Sequence, residues 1–310
     1  MPVYNESDAV RQFHDRLIGQ IANLPYQFSI IYVNDGSTDD TQALLADIAD
    51  SDERVSVIEL SRNFGHQAAL TAGLDAASGD YIITMDGDGQ HPPQVISQML
   101  GLAESGYDIV LTQRIEQKDV SPFKRLTSDA FYRLINRAGN TRILPGGADF
   151  RLMTAAAVSA LKHMPEYHRF LRGMVAWMGF KSVILPFEQD MRIGGRSKYS
   201  LKKMLRLSLD AVFSFSLVPL YVGISIGVLF LVLALLEAVY VLSFWVSGRT
   251  EMLAPGWSSL MFMLLVVGGS LMVTVGLVGV YIGYIFQEVK RRPQYLVRTR
   301  ISGDKTDDKV

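Results

Sequence analysis

The sequence predicts an α/β domain built on a mainly parallel sheet, followed by an interfacial helix and two transmembrane helices. Three observations predict it. Apolar, β-branched runs alternate with helix-spaced stretches between Phe28 and Thr112, the rhythm of strands joined by crossover helices. Polar clusters close the strand-like runs, at the edge where ligands of such sheets bind. Two long apolar runs, Leu220 to Val246 and Leu260 to Phe286, then dominate the second half.

The elements follow in order. Phe28 to Asn34 is an apolar run that predicts a strand. Asp39 to Asp50 has helical spacing, with Ser37 or Thr38 as its cap. Val55 to Leu60 reads as a strand, Gly65 to Ala77 as a helix and Asp80 to Met85 as a strand. Pro93 to Ser105 reads as a helix opening on proline, and Asp108 to Thr112 as a further strand. The polar clusters are Asn34-Asp35-Gly36-Ser37, Asp86-Gly87-Asp88-Gly89-Gln90 and Gln113-Arg114.

A bilayer core needs about 20 apolar helical residues, and both C-terminal runs exceed that. Glu237 is the one charge in the first run, and the second has none. Soluble helices are seldom apolar on every face. Lys202, Lys203 and Arg206 precede the pair and Lys290, Arg291 and Arg292 follow it, while Arg249 and Glu251 cancel in the connection. Positive flanks place both ends, and the soluble half, in the cytoplasm. In Ser200 to Ser216, Leu201, Met204, Leu205, Leu209, Val212 and Phe213 oppose the basic residues. That pattern fits an interfacial helix or a surface helix packed on the domain. Gly223-x-x-x-Gly227 and Gly279-x-x-x-Gly283 permit close helix packing, within the hairpin or between protomers of a homo-oligomer. The expected divisions are therefore residues 1–199, 200–216, 217–290 and a polar tail at 291–310, disordered after Arg300.

Composition narrows the chemistry. Lys and Arg total 30 against 31 Asp and Glu, a net charge of −1, so no global basic field suggests nucleic acid. Cysteine is absent. A metal would therefore be held by oxygen or histidine, and the chain suits a reducing compartment. Asp86-Gly87-Asp88 places two carboxylates on a turn after a strand, with the neutral oxygen of Gln90 nearby. Such a pair suits a hard divalent cation that keeps several waters and binds phosphates. Gly87 lets backbone approach a ligand. Asp35 is either an Asx-turn or helix cap, or an acceptor for a base or ribose.

Pro2-Val-Tyr-Asn-Glu6, Val33-Asn-Asp-Gly-Ser-Thr-Asp39, Ser61-Arg-Asn-Phe-Gly65 and Met85-Asp-Gly-Asp-Gly-Gln-His-Pro-Pro93 together resemble family 2 glycosyltransferases of the GT-A (Rossmann-like) fold. Within that family the chain is similar to the polyprenyl-phosphate branch, which includes dolichol-phosphate mannose synthases. The two spans most resemble its bactoprenol glucosyltransferase group. The resemblance implies a bacterial plasma-membrane enzyme that moves a hexose from a nucleotide-sugar, UDP-glucose, to a polyisoprenyl (undecaprenyl) phosphate. Pro2, Tyr4, Glu6, Val33, Asp35, Asp86 and Gly87 would line the nucleotide-sugar site. Asp86, Asp88 and Gln90 would hold Mg²⁺ or Mn²⁺. Asp86, Asp88, Asp149 and Arg114 would be catalytic, and Arg114, Arg125, Ser128, Arg192, Arg196 and Lys198 would bind the acceptor phosphate. Arg192 to Ser200 matches a glycine-bearing basic loop that closes over the site. Asp149 would orient the sugar or acceptor, or else cap the following helix.

A phosphate monoester is largely dianionic at neutral pH, its second pKa being about 6, so the implied acceptor needs no general base. Its attack opposite the nucleotide inverts the anomeric centre, while the metal neutralises the departing diphosphate. The alternatives are another donor, such as GDP-mannose, or a non-catalytic nucleotide-sugar-binding scaffold. A processive synthase of the same fold would add Gln-x-x-Arg-Trp, which this sequence lacks. One departure stands out. The family carries an apolar first strand ahead of Pro-x-Tyr-Asn-Glu, whereas Met1 directly precedes Pro2, so either the start is truncated or the first strand is nearly absent, and a short first strand is expected.

Overall fold

The computed structural model describes residues 1–115, 147–164, 166–167, 169–190, 218–248 and 256–303. The chain forms two compact units, Met1–Leu205 with Arg292–Val310, and Arg206–Arg291. In the first, the described elements are β1 (Pro2–Val3), α1 (Val10–Ile21), β2 (Ile30–Asn34), α2 (Thr41–Ser51), β3 (Val55–Leu60), α3 (His66–Ala76), β4 (Tyr81–Thr84), α4 (Val95–Glu104), β5 (Ile109–Arg114), β6 (Gly147–Thr154), α5 (Ala155–Lys162), α6 (Leu171–Trp177), β7 (Ser182–Phe187) and β8 (Val297–Ser302).

Burial explains the register of these elements. On α1, Val10, Phe13, Leu17 and Ile21 face inward, one stripe of a 3.6-residue period. β2 lies inside its sheet, and Tyr32 and Val33 are fully buried. The main core gathers Phe13, Tyr32, Leu45, Met99, Phe150 and Leu152. Ser37 and Thr38 do not cap α2. The side chain of Asp39 accepts from Thr41 N at 3.1 Å instead, while Ser37 turns its hydroxyl to Asn34 Oδ1 at 2.6 Å. α4 begins two residues beyond Pro93, whose carbonyl accepts from Ile96 N.

The mainly parallel sheet is corrected to two mixed sheets, in the orders β1-β2-β3-β8 and β4-β6-β5-β7. β1 and β3 run parallel to β2, and β7 runs parallel to β5. β6 is antiparallel to both β4 and β5, and β8 is antiparallel to β3. An αβ rhythm fixes element type but not strand neighbours, and both antiparallel insertions come from stretches outside that rhythm. β1, of two residues, is the edge strand of the first sheet. β1 pairs only Pro2 and Val3 with Val33 and Asn34. Between the flanking strands lies a cavity of about 120 Å³ lined by Ile31, Tyr81, Ile83 and Leu17. The Met1 ammonium donates to Ile31 O at 2.7 Å, and burial lowers its pKa to about 5.

β8 occupies the stretch expected to be a polar tail. Thr299 Oγ1 donates to Glu59 at 2.6 Å, Tyr295 Oη donates to Asp75 at 2.9 Å and Ser61 N donates to Leu296 O at 2.9 Å. Residues 304–310 lie outside the described set.

The second unit holds two long apolar helices, α7 (Val218–Val246) and α8 (Trp257–Lys290). Among the described residues one stretch, Val266–Lys290, is long and apolar enough to cross a membrane, and Leu220–Phe230 is shorter. A Cβ on Gly223 would meet Thr274 Cγ2 at 3.4 Å, so Gly223 packs inside the hairpin, whereas Gly279 and Gly283 have nothing within 4 Å. The segment expected to be an interfacial helix, 200–216, lies outside the described residues.

The turn after β2 leaves no room for a side chain. Gly36 has φ +65°, and a Cβ there would lie 2.4 Å from the Arg62 carbonyl carbon. Left-handed backbone costs a non-glycine residue about 1–2 kcal/mol, and overpacking adds about 1–3 kcal/mol. Gly36→Ala is therefore expected to lose about 2–5 kcal/mol in urea denaturation; a loss below about 1 kcal/mol would contradict this packing.

Candidate active site

The carboxylate turn follows β4. Thr84 Oγ1 donates to the Asp149 carbonyl at 2.6 Å, fixing the strand end against β6. The Asp86 N–H then donates to His91 Nδ1 at 3.0 Å. That nitrogen accepts, so the ring proton of the neutral imidazole is on Nε2, which lies 3.7 Å from Asp86 Oδ2. His91 is wholly buried, stacked on Phe150 with ring centroids 5.1 Å apart and edge-on to Phe187 at 5.9 Å. Burial keeps its pKa low, against the opposing pull of Asp86. Asp88 Oδ1 accepts from Gln90 N at 3.1 Å, an Asx-type closure. Gly87 serves close packing: a Cβ there would come within 2.5 Å of Val3 Cγ1, so the turn rests on β1.

Beside it stands a second carboxylate. Asp149 lies within β6 and is 4 % exposed. Arg151, two residues on and hence on the same face of the strand, donates through Nη2 to Asp149 Oδ1. Arg172, the second residue of α6, grips both oxygens, Nε to Oδ1 at 3.1 Å and Nη2 to Oδ2 at 2.9 Å. Burial pushes the Asp149 pKa up, but Arg172, the His66 contact and Arg151 outweigh it and hold it well below the carboxylate range. The group is an anion at neutral pH. It does not cap α5, because Thr154 Oγ1 takes that role by accepting from Ala157 N at 3.4 Å.

His66, the first residue of α3, joins the two. Its Nε2 is 3.5 Å from Asp86 Oδ1 and 3.5 Å from Asp149 Oδ2. Burial lowers its pKa, but the Asp149 contact and the Asp86 charge reverse the balance, and the net shift is upward. The start of α3 is pinned by Asp35, whose oxygens accept from Phe64 N at 2.7 Å and Gly65 N at 3.0 Å. Asp35 thus anchors the entry to a helix from a neighbouring strand.

β1 brings the other expected residues to this edge. Asp35 N donates to Val3 O at 2.9 Å, Asn5 N to Ser37 Oγ at 2.9 Å and Glu6 N to Thr41 Oγ1 at 2.9 Å. Pro2 is buried and Tyr4 and Glu6 are half-buried along the same segment. The Val33 side chain belongs to the core with Ile58 and Leu60, and its backbone pairs with β1, Val33 N donating to Met1 O at 2.9 Å. Arg114 ends β5 with Nε buried and unpartnered. The calls on Arg125, Ser128, Arg192, Arg196 and Lys198 fall outside the described residues.

The residues suit a partly hydrated cation. Asp86 Oδ1 is buried without a hydrogen-bond partner, 3.5 Å from His66 Nε2, and Asp88 and Gln90 follow on the same turn. Among the described residues no three His, Asp or Glu side chains converge into a closed cage. A hard cation held by one or two carboxylates, with water and phosphate oxygens completing its shell, needs no such cage.

His66, His91, Arg151 and Arg172 carry the site's internal contacts and were not singled out in the sequence. Arg151 was findable, two residues from Asp149 on a strand; Arg172 had no local signal.

Fold and site together define an α/β protein with carboxylates, arginines and histidines gathered where β4 ends and β6 begins. The chain belongs to glycosyl transferase family 2, whose model matches residues 1–161. It is similar to an uncharacterized glycosyltransferase of Bacillus subtilis, YkcC, at 37 % identity over 96 % of this chain and 92 % of the relative. It is also similar to the SfII prophage-derived bactoprenol glucosyl transferase of Shigella flexneri, at 34 % identity over 98 % of each. A prophage bactoprenol glucosyl transferase homolog of Escherichia coli is 35 % identical over 96 % of this chain and 97 % of that one.

Removing one partner of a buried ion pair costs about 3–5 kcal/mol, because it strands the other charge. Asp149→Ala leaves the Arg151 guanidinium, 3 % exposed, in that position. Chemical denaturation is expected to show a loss of about 3–5 kcal/mol at neutral pH, and wild-type stability would contradict the pairing. The depressed Asp149 pKa means the pair's contribution is present at neutral pH and lost only as pH falls through that low folded value.

Proposed function

We propose that the chain transfers a hexose, glucose from UDP-glucose, to the phosphate of a polyisoprenyl lipid with inversion, in a GT-A-type domain assisted by Mg²⁺ or Mn²⁺. The observation that carries the reading is Asp86. Its unpartnered buried oxygen opens at the end of β4, against β1 and beside Asp149, where nucleotide, metal and sugar would meet. The near full-length match to proteins named bactoprenol glucosyl transferase supports the acceptor.

Asp86, Asp88 and Gln90 would hold the cation, and when bound it would neutralise the leaving diphosphate. Pro2, Tyr4, Glu6, Asp35 and the Val33 and Gly87 backbones would bound the nucleotide. Asp149 is suited to orient a sugar hydroxyl rather than to take a proton. A carboxylate offers about four lone-pair sites, and Arg151, Arg172 and His66 already address Asp149. A dianionic acceptor phosphate requires no base. Arg114, with Arg125, Ser128, Arg192, Arg196 and Lys198, would grip that phosphate through charge-assisted bonds.

The lipid acceptor demands a membrane site, and α7 and α8 would form a two-span hairpin. Chain parity supports this: β8 follows α8 and pairs with β3, so the chain returns to the domain it left, and an even number of crossings is required. By the positive-inside rule the basic flanks would leave that domain on the cytoplasmic side of a bacterial membrane.

Losing one electrostatic stabiliser costs roughly 10²–10³ in rate. Asp88→Asn is expected to lower transfer by that factor while thermal unfolding stays unchanged. EDTA should abolish wild-type transfer, and Mg²⁺ or Mn²⁺ should restore it. Full turnover in chelator would remove the metal. Lipid mass spectrometry after incubation with UDP-glucose or GDP-mannose identifies the donor.

Topology has its own check. A cysteine at Ser247 should react with an impermeant thiol reagent in intact cells, whereas one at Ser302 should react only after lysis. The reverse pattern would invert the hairpin.

A further inference from the structure

We infer that His66 is a positioning residue of the transfer centre, a strut that spaces the metal-side carboxylate Asp86 from the sugar-side carboxylate Asp149. The inference rests on the proposed reading of the site and adds a residue to it.

Three features converge on this role. His66 has a fixed base: its helix begins immediately after the Phe64 and Gly65 amides that Asp35 holds, and Gly65, at φ +100°, turns the chain into the helix. Its tip reaches two separate elements, with one nitrogen at 3.5 Å from an oxygen on each carboxylate. Its side chain is 32 % exposed where Asp149 is 5 %, so the imidazole faces the cleft and the buried carboxylate lies behind it.

The two carboxylates depend on it unequally. Asp149 keeps both arginines if His66 is lost. Asp86 Oδ1 has no hydrogen-bond partner, and His66 Nε2 is the cationic or N–H group facing that oxygen at ion-pair distance. Its other oxygen faces His91. Without His66 the Asp86 carboxylate would lose its tie toward Asp149, whose own charge the two arginines already balance. Asp86 would then turn away from Asp149, and the diphosphate and sugar ends of the donor would lose their common register. Misplacement on the ångström scale costs rate even when binding survives. A residue that merely started the helix would instead be replaceable by any side chain of its size.

Replacing a group that orients a metal ligand typically costs 10–100-fold in affinity or activity. His66→Leu, which keeps bulk and removes both nitrogens, is expected to lower kcat by about 10–100-fold with an unchanged melting temperature. His66→Gln, whose amide N–H can take the place of Nε2, should recover most of that loss. Wild-type kcat and KM in His66→Leu, or equal losses in both variants with a matching fall in melting temperature, would overturn the inference. A second readout needs no transfer. The chain has 5 histidines, so ¹⁵N-histidine labelling resolves the ring signals, and His66→Gln identifies its own. Asp86→Asn should move the His66 Nε2 resonance, and an unmoved signal would overturn the strut. If no nucleotide-sugar supports wild-type transfer, the proposed function fails, and this resonance alone decides the contact.

Discussion

Burying Asp149 places a carboxylate where an isolated charge would cost several kcal/mol, and the site is arranged around offsetting that cost. Arg151 does so from the same strand, Arg172 from α6 and His66 from α3. Each element is held by a further contact. Arg151 also donates to the Leu171 carbonyl at 3.5 Å, which fixes the start of the helix that carries Arg172. Thr84 binds the Asp149 carbonyl and so brings the β4 end, with its carboxylate turn, to the same point. One buried anion therefore sets the positions of two helix starts and one strand end.

The second constraint is close approach at the short first strand. Val3 of β1 receives the carboxylate turn, while the turn after β2 packs on the chain ahead of α3, and both turns use glycine where a Cβ would collide. Gly36 meets the Arg62–Asn63 backbone and Gly87 meets Val3. The notion that Gly87 clears space for a ligand thus has a structural counterpart in the protein's own strand. Beside β1, apolar side chains of β2 and β4, with Met1 and Leu17, line a cavity between the two sheets.

Much of this was legible in the sequence, for identifiable reasons. β2, β3, β4 and α4 lie within a few residues of their expected positions because apolar periodicity reports burial directly. The Asp86–Asp88 turn was legible because a strand end in an α/β sheet is where ligands gather. Strand neighbours were not, since periodicity says nothing of pairing. β6 follows a stretch outside the alternating pattern, and β8 lies beyond the apolar helices in a segment whose Arg298 and Arg300 read as solvated tail. On an exposed edge those same arginines are ordinary strand residues. Asp35 illustrates an ambiguity that only geometry resolves: the capping it was expected to offer locally is delivered to Phe64 and Gly65, about thirty positions along the chain.

The engagement of the carboxylates bears on the kind of chemistry the cleft can support. Asp149 is saturated by cations and held anionic, which makes it a poor proton acceptor. Asp88 is nearly buried and closes its own turn through Gln90 N. His91 is neutral and spends Nδ1 on the Asp86 amide. None of these three is arranged as a general base. What the site does offer is Asp86, whose Oδ1 lacks a hydrogen-bond partner and faces His66 Nε2 at 3.5 Å, with an ordered set of charges around it. Such a site can bind a cation and orient polar groups without moving a proton. A phosphate nucleophile, already ionised at neutral pH, asks for nothing more, whereas a sugar hydroxyl would need a base to activate it.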